Sequence, residues 1–135
     1  MRRIAYASPL NPAPSGISDY SEELLPFLAQ YAEVVPYVAD GLKPANTALL
    51  RHMDVRTLSQ LARDQRRHPY DAVLYHMGNS AVHAPIWRAM QQVPGIVVLH
   101  EFVLHHFMLN YAAVVERDIE RYRAEAAQRY GAEGE

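Results

Sequence analysis

The fold of this chain is decided by one stretch near its amino terminus, Ile4-Ala5-Tyr6-Ala7-Ser8-Pro9-Leu10-Asn11-Pro12-Ala13-Pro14-Ser15-Gly16-Ile17-Ser18-Asp19-Tyr20-Ser21. A short apolar run leads into a loop rich in Pro, Gly and Ser, and a helical pattern follows. In α/β proteins such a loop leaves the carboxyl end of a strand, where the next helix presents unpaired backbone N–H groups. The stretch therefore predicts a phosphate or sugar site, although an ordinary strand-to-helix turn fits the same residues.

Two later stretches repeat this arrangement. Residues 70–80 read YDAVLYHMGNS and residues 97–106 read VVLHEFVLHH, so each apolar run ends in polar groups before a helical pattern begins. Because the carboxyl ends of parallel strands meet at one edge of a sheet, the three loops are expected to meet there. The sequence thus predicts one binding edge that carries Ser/Gly, His/Gly/Asn and His/Glu.

Periodicity and turn residues predict the other elements. The pattern favours strands at 2–8, 33–38, 72–76 and 96–100, a loop at 40–47, and helices at 19–32, 55–66, 81–92, 102–113 and 116–130. Ser18 and Asp54 are the expected N-caps of the first two helices. The first helix is expected to carry one face formed by Tyr20, Leu24, Leu28 and Tyr31. Alternating strands and helices indicate an α/β fold with a parallel sheet.

Composition narrows the class of protein. The chain has 135 residues, which suits one domain, and half of them are hydrophobic. A net charge of −2, without a basic and aromatic cluster, gives no support for nucleic-acid binding. The absence of cysteine excludes disulfides and fits a cytoplasmic location. No signal segment or membrane span is expected, because no apolar run approaches about 18 residues.

Three segments in order carry a family resemblance: SPLNPAPSGISDYSEELLPFL at 8–28, YDAVLYHMGNSAVH at 70–83 and GIVVLHEFVLHHFML at 95–109. Together they resemble the amino-terminal domain of family 4 glycosyltransferases, and the match runs from about Arg3 to Gly131. Those enzymes are retaining, depend on nucleotide-sugars and have two Rossmann-like domains facing across a cleft, the GT-B architecture. The resemblance implies that residues 1–135 form one Rossmann-like, acceptor-side domain, truncated and without the donor-binding carboxy-terminal domain. We therefore expect the isolated chain to lack transfer activity. Because the family's domain continues with further strands, the resemblance also implies that the strand at 96–100 is an open edge of the sheet.

The resemblance also implies site residues. His100 would act on the transferred sugar or the acceptor hydroxyl, with Glu101 beside it where the family has an aspartate. Gly16 would contact the donor phosphate or the acceptor, while Ser15 replaces the first glycine of the family's pair. A third group of substrate-binding candidates comprises His76, Gly78 and Asn79. A structural role is favoured instead for His83, His105 and His106.

The residues also weigh against other chemistries. Two histidines one helical turn apart hold zinc in His-Glu-x-x-His proteases, whereas His100 and His105 are five residues apart, so no metal site is expected. The first loop lacks Gly-x-Gly-x-x-Gly, which disfavours a nicotinamide dehydrogenase. No cofactor is expected beyond the nucleotide-sugar donor, which is a substrate.

The main alternative is a non-catalytic Rossmann-like binding or interaction module. Other expected partners are a hydroxyl acceptor and a second copy of the chain. Peripheral membrane contact is a further expectation, through the basic group Arg63, Arg66, Arg67 and His68.

Overall fold

The structure, a computed structural model, describes residues 1–115 and 119–130. Five parallel strands form one sheet in the order β3-β2-β1-β4-β5. The strands are β1 (Arg3–Ala7), β2 (Glu33–Val38), β3 (Arg56–Thr57), β4 (Ala72–Met77) and β5 (Ile96–Leu99). The helices are α1 (Gly16–Leu28), α2 (Thr47–His52), α3 (Leu61–Arg67), α4 (Ala84–Gln92), α5 (His105–Asn110) and α6 (Ile119–Tyr130). The predicted Rossmann-like α/β class is confirmed.

The middle strand β1 marks the point where the chain changes direction across the sheet. It pairs with β2 on one side, with Ala5 opposite Val35, and with β4 on the other, with Ala5 opposite Val73. The connection that follows β1 therefore leads to one half of the sheet, and the connection that follows β4 leads to the other half. Such a switch point leaves a crevice at the carboxyl ends of the strands, which is where ligands bind in this class.

Both faces of the sheet are covered along β1, β2 and β4, whose successive side chains point to opposite faces and are mostly buried. On one face Ala5, Ala7 and Tyr37 pack with Leu61 and Ile86, from α3 and α4. On the other face Tyr6, Val34 and Val38 pack with Leu25 of α1 and Leu49 of α2. Near-continuous apolar strands are what this double burial requires.

Helix α1 begins three residues earlier than predicted. Ser15 is the N-cap, and its hydroxyl accepts a 3.1 Å hydrogen bond from the Ile17 N–H. Ser18, the predicted N-cap, is buried inside the helix and donates its hydroxyl to the Ala13 carbonyl at 2.9 Å. Pro26 lies within the helix, which ends at Leu28. The predicted start at residue 19 was too late because two serines three residues apart compete for one cap, and the predicted end at residue 32 lies past the observed end at Leu28.

The buried face of α1 also differs from the predicted one. It comprises Ile17, Ser18, Ser21 and Leu25. Tyr20 and Tyr31 are exposed, while Leu24 and Leu28 pack at the margin of the core. The shift arises because Ser21 hydrogen-bonds the Tyr6 and Ser8 hydroxyls, at 3.0 and 2.6 Å, so a polar pair of side chains occupies the sheet-facing stripe.

The predicted helix at 55–66 is divided. Arg56 and Thr57 instead form β3, which pairs with Tyr37 and Val38 at the edge of the sheet. A short 3-10 turn and then α3 follow. Asp54 is not an N-cap, since its carboxylate binds Arg56 at 2.7 Å. The predicted loop at 40–47 is confirmed except at Thr47, where α2 begins, and α2 itself was not predicted.

The carboxy-terminal elements partly match the predictions. The predicted helix at 81–92 starts with a 3-10 turn, and the one at 102–113 begins at His105 and continues as a π-helical turn at Tyr111–Val115. Within α6, Glu120 and Arg123 form an ion pair at 3.2 Å. Helical spacing puts Val115, Ile119, Tyr122 and Ala126 on one stripe, but their side chains lie outside those that the structure describes, as does that of Arg129. Among the described helices, none has the length and apolar character needed to cross a membrane.

Candidate functional site

A cleft of about 290 Å³ lies where the loops after β1, β4 and β5 meet. This is the crevice expected at the switch point between β1 and β4. It is lined by Ser15, Gly16, Ile17, Tyr20, Gly78, Asn79, Ser80, His83, His100 and Glu101. The structure therefore brings together all the predicted site residues except His76, which lies below the cleft.

The amino-terminal end of α1 forms one wall. Gly16 is exposed and is the first helical residue, and a Cβ added there would meet nothing within 4 Å. The left-handed backbone that would explain a turn glycine occurs instead at Gly41, with φ +84°. At Gly16 the missing side chain keeps the wall open, and the Ser15 hydroxyl is occupied by its capping bond.

The exit of β4 forms the floor. A Cβ on Gly78 would lie 2.7 Å from Ile17 Cδ1 and 3.0 Å from His83 Nε2, so only glycine lets these three residues pack together. Asn79 Oδ1 accepts a 2.7 Å hydrogen bond from the Phe107 N–H, which connects the first turn of α5 to the end of β4. Ser80 caps the 3-10 turn that follows. Asn79 thus has a structural role, with its amide N–H₂ group as the part suited to a ligand.

His76 and His100 form a direct pair. His76 Nδ1 lies 2.9 Å from His100 Nε2, and the backbone N–H of His100 donates to the Met77 carbonyl at 3.0 Å. His76 is 2 % exposed and its ring centroid lies 4.3 Å from that of Tyr6. The exposed ring of Tyr20 packs edge-on against His100 at 4.7 Å. His76 is therefore placed to orient His100 from beneath, and His100 borders the cleft.

The histidines of this region are held neutral. Burial, followed by repulsion from His100 and His83, lowers the pKa of His76 to about 4. Burial also lowers the pKa of His83 and of His100. Glu101 is the one acidic or basic side chain among the lining residues, apart from the neutral imidazoles. Hydroxyl, amide, imidazole and backbone groups thus dominate the lining, which suits a polyhydroxyl ligand.

Two residues that line the cleft, His83 and Tyr20, were not predicted from the sequence as site residues. His83 is fully buried and lies at the start of α4, where its position after Gly78-Asn79-Ser80 directs the ring back toward the strand ends. Tyr20 lies one turn into α1 from Gly16 and faces His100. His105 and His106 pack against each other at 5.8 Å and are not among the residues that line the cleft.

A larger hollow of about 570 Å³ lies away from these loops. Its lining includes Arg56, Arg63 and Arg67, together with His68 from the predicted membrane-facing group. Asp64 binds Arg56 at 2.9 Å and Arg63 at 3.3 Å, and it also accepts the Tyr37 hydroxyl at 2.7 Å. Asp54 also binds Arg56 at 2.7 Å, so two carboxylates balance the charges of Arg56 and Arg63. The smaller cleft is therefore the better candidate site.

Within residues 1–115 and 119–130, no three His, Cys, Asp or Glu side chains are grouped as a metal ion would require. Comparisons of the chain with protein-family models, with curated proteins and with solved structures found no significant match. The glycosyltransferase resemblance therefore stays a prediction, and the function has to be argued from the cleft.

Proposed function

We propose that this chain is the acceptor-side domain of a retaining glycosyltransferase that uses a nucleotide-sugar donor. The observation that carries the proposal is the cleft itself, in which the loop after β1, the Gly78-Asn79-Ser80 turn and the His100-Glu101 pair converge. The three segments with family resemblance supply these loops. A cleft lined mainly by neutral hydrogen-bonding groups fits a sugar or another hydroxyl acceptor better than a strongly charged substrate.

In this proposal the chain contributes positioning. Neutral His100 would hydrogen-bond a hydroxyl at the reacting sugar, and His76 would fix its ring through the 2.9 Å contact. Glu101 would supply the negative charge that stabilises an electron-poor sugar carbon. The open backbone at Gly16 would leave room for the ligand beside the amino-terminal end of α1, an end that favours anionic groups such as a diphosphate.

The test uses the full chain and a defined panel of probes. The panel contains UDP-glucose, GDP-mannose, their sugar-free counterparts UDP and GDP, and the methyl glycosides of glucose and mannose, with binding followed by ligand-observed NMR. We expect at least one sugar-bearing probe to bind. Gly16→Leu should weaken that binding by about tenfold or more, because its side chain enters a space where a Cβ meets nothing within 4 Å.

Ala29→Leu is the matched control, since it places the same leucine side chain at the exposed carboxyl end of α1. It should bind the probes like the unchanged chain. Failure of every sugar-bearing probe to bind, or binding that Gly16→Leu does not weaken, would overturn the proposal.

The alternative, a non-catalytic interaction module, is favoured by a different observation. Strand β5 exposes Ile96 by 58 % and Leu99 by 52 % at the edge of the sheet. Apolar strand edges are pairing surfaces. Under this alternative the partner binds at β5, and the panel of sugar probes does not bind in the cleft.

A further inference from the structure

Only one of the two ring nitrogens of His83 has a hydrogen-bond partner among the described residues. Its Nδ1 lies 3.1 Å from the His76 carbonyl oxygen. A carbonyl only accepts, so Nδ1 carries the proton in this bond. In a neutral imidazole the other nitrogen then has a lone pair and acts as an acceptor. The local backbone thereby fixes the tautomer of His83.

The second nitrogen is buried and has no partner among the described residues. His83 is 0 % exposed, and its Nε2 forms no hydrogen bond with any group that the structure describes. Buried polar atoms are nearly always paired in native proteins, because an unpaired one destabilises the fold. The neighbouring side chain of Ile17 is apolar and cannot supply a donor.

The position of Nε2 connects it with the cleft. It lies 3.0 Å from the point where a Cβ on Gly78 would stand, and both Gly78 and His83 line the cleft. Gly78 has no side chain to stand between this nitrogen and the cleft. Nε2 is therefore a buried acceptor without a described partner directly beside the cleft floor, where a ligand hydroxyl that enters at Gly78 could reach it.

We propose that His83 Nε2 accepts a hydrogen bond from a sugar hydroxyl of the bound ligand and so selects a neutral hydroxyl, rather than a phosphate oxygen, at the Gly78 end of the cleft. A lone pair attracts an O–H donor and repels an anionic oxygen, which gives the selectivity its direction. This inference rests on the proposed function, because it assigns one contact within the same site. His83 becomes a ligand-binding residue instead of a structural one.

The first measurement needs no ligand. Long-range ¹⁵N–¹H correlation spectra of the histidine-labelled full chain report which nitrogen of His83 carries the proton. We expect a protonated Nδ1 and an unprotonated Nε2 at neutral pH. A proton on Nε2 would overturn the inference about His83 and leave the proposed function standing.

The second measurement adds UDP-glucose and GDP-mannose, each compared with UDP or GDP. The sugar-bearing probe should move the ¹⁵N resonance of His83 Nε2 toward that of a hydrogen-bonded acceptor, and the sugar-free counterpart should not. If the sugar-bearing probes bind and Nε2 does not respond, His83 is not the contact. If no sugar-bearing probe of the panel binds, the proposed function fails and this inference fails with it.

A variant gives an independent check. His83→Phe keeps a ring of similar shape but has no acceptor, so it should weaken the sugar-bearing probe by about tenfold and leave UDP or GDP unchanged. His106→Phe is the control, because His106 is exposed and does not line the cleft. Equal losses for probes with and without the sugar would contradict the inference, and the spectra of the unchanged chain decide the question if His83→Phe does not fold.

Discussion

At the scale of single residues, the feature that governs this site is a group of neutral imidazoles packed into the strand ends. His76 bonds to His100, and the carbonyl of His76 binds the ring of His83. His100 is half-buried at the cleft side of the group, and His76 is its buried base. Protonation of any of the three histidines would place a positive charge in a buried region close to the other imidazoles. The three side chains therefore act as neutral hydrogen-bonding groups.

This neutrality predicts a pH dependence of stability. The pKa of His76 falls from 6.5 to about 4 on folding, so the unfolded chain takes up the proton first as pH decreases. The stabilisation is fully present above about pH 6.5 and is lost as pH falls toward 4. Between pH 7 and pH 5 the loss attributable to His76 is about 2 kcal/mol.

Urea unfolding of His76→Phe at the two pH values measures this contribution. The aromatic variant keeps the ring packing against Tyr6 but has no titrating group, so its free energy of unfolding should fall by about 2 kcal/mol less than that of the unchanged chain. His52→Phe replaces an exposed histidine and serves as the control. An identical pH dependence in His76→Phe and the unchanged chain would contradict the assignment.

At the scale of elements, the start of α1 determines how the cleft is shaped. Ser15 ends the loop and Gly16 opens the helix, so the first helical turn borders the ligand space. Asn11 braces the same loop from the other side, with its side-chain amide 2.8 Å from Asp19 and its backbone N–H 2.9 Å from Glu22. Ser15 thus both caps α1 and lines the cleft.

Replacement of the cap tests this arrangement. Ser15→Ala removes the acceptor for the Ile17 N–H and should lower the free energy of unfolding by about 1 kcal/mol. Ser15→Asp retains a capping oxygen and places a negative charge at the positive end of the helix, so its stability should match that of the unchanged chain. Denaturant unfolding of the three proteins measures these differences. A Ser15→Ala chain as stable as the Ser15→Asp chain would contradict the capping role of Ser15.

At the scale of the whole molecule, the sheet is protected at its centre and exposed at one edge. Strand β5 pairs with β4 on one side, with Val97 opposite Tyr75, and no other described strand pairs with it. The chain then continues through Phe102, which is 97 % exposed, and Val103, which is 62 % exposed. The predicted open edge at 96–100 is confirmed within the described residues, and such an apolar edge favours association.

We predict that the chain self-associates through β5. Sedimentation velocity at increasing protein concentration should show growing species for the unchanged chain. Leu99→Lys should suppress them, because a charged side chain on an edge strand opposes pairing. Tyr31→Lys, at a side chain 79 % exposed outside the β5 edge, should associate like the unchanged chain. A strictly monomeric unchanged chain over the same concentrations would contradict this prediction.

The sequence by itself determined the fold class and the loops that carry the site. Alternating apolar runs and helical patterns are local properties, and they fixed β2 at Glu33–Val38 without error. Because parallel strands share one carboxyl edge, the order of the elements also predicts that Gly16, Gly78 and His100 lie together, as they do in the cleft. These inferences succeeded because they depend on chain order and residue type alone.

Tertiary structure decided what local patterns leave ambiguous. Two residues of β3 are strand only because β2 offers them hydrogen bonds, and Ser15 caps α1 because Ser18 is buried against Ala13. The burial of His76 beneath His100 likewise depends on packing between strands that are distant in sequence. The unpaired nitrogen of His83 lies beside Gly78 because the chain folds back on itself there. Such contacts depend on how the elements pack in three dimensions, and the periodicity of the sequence does not predict them.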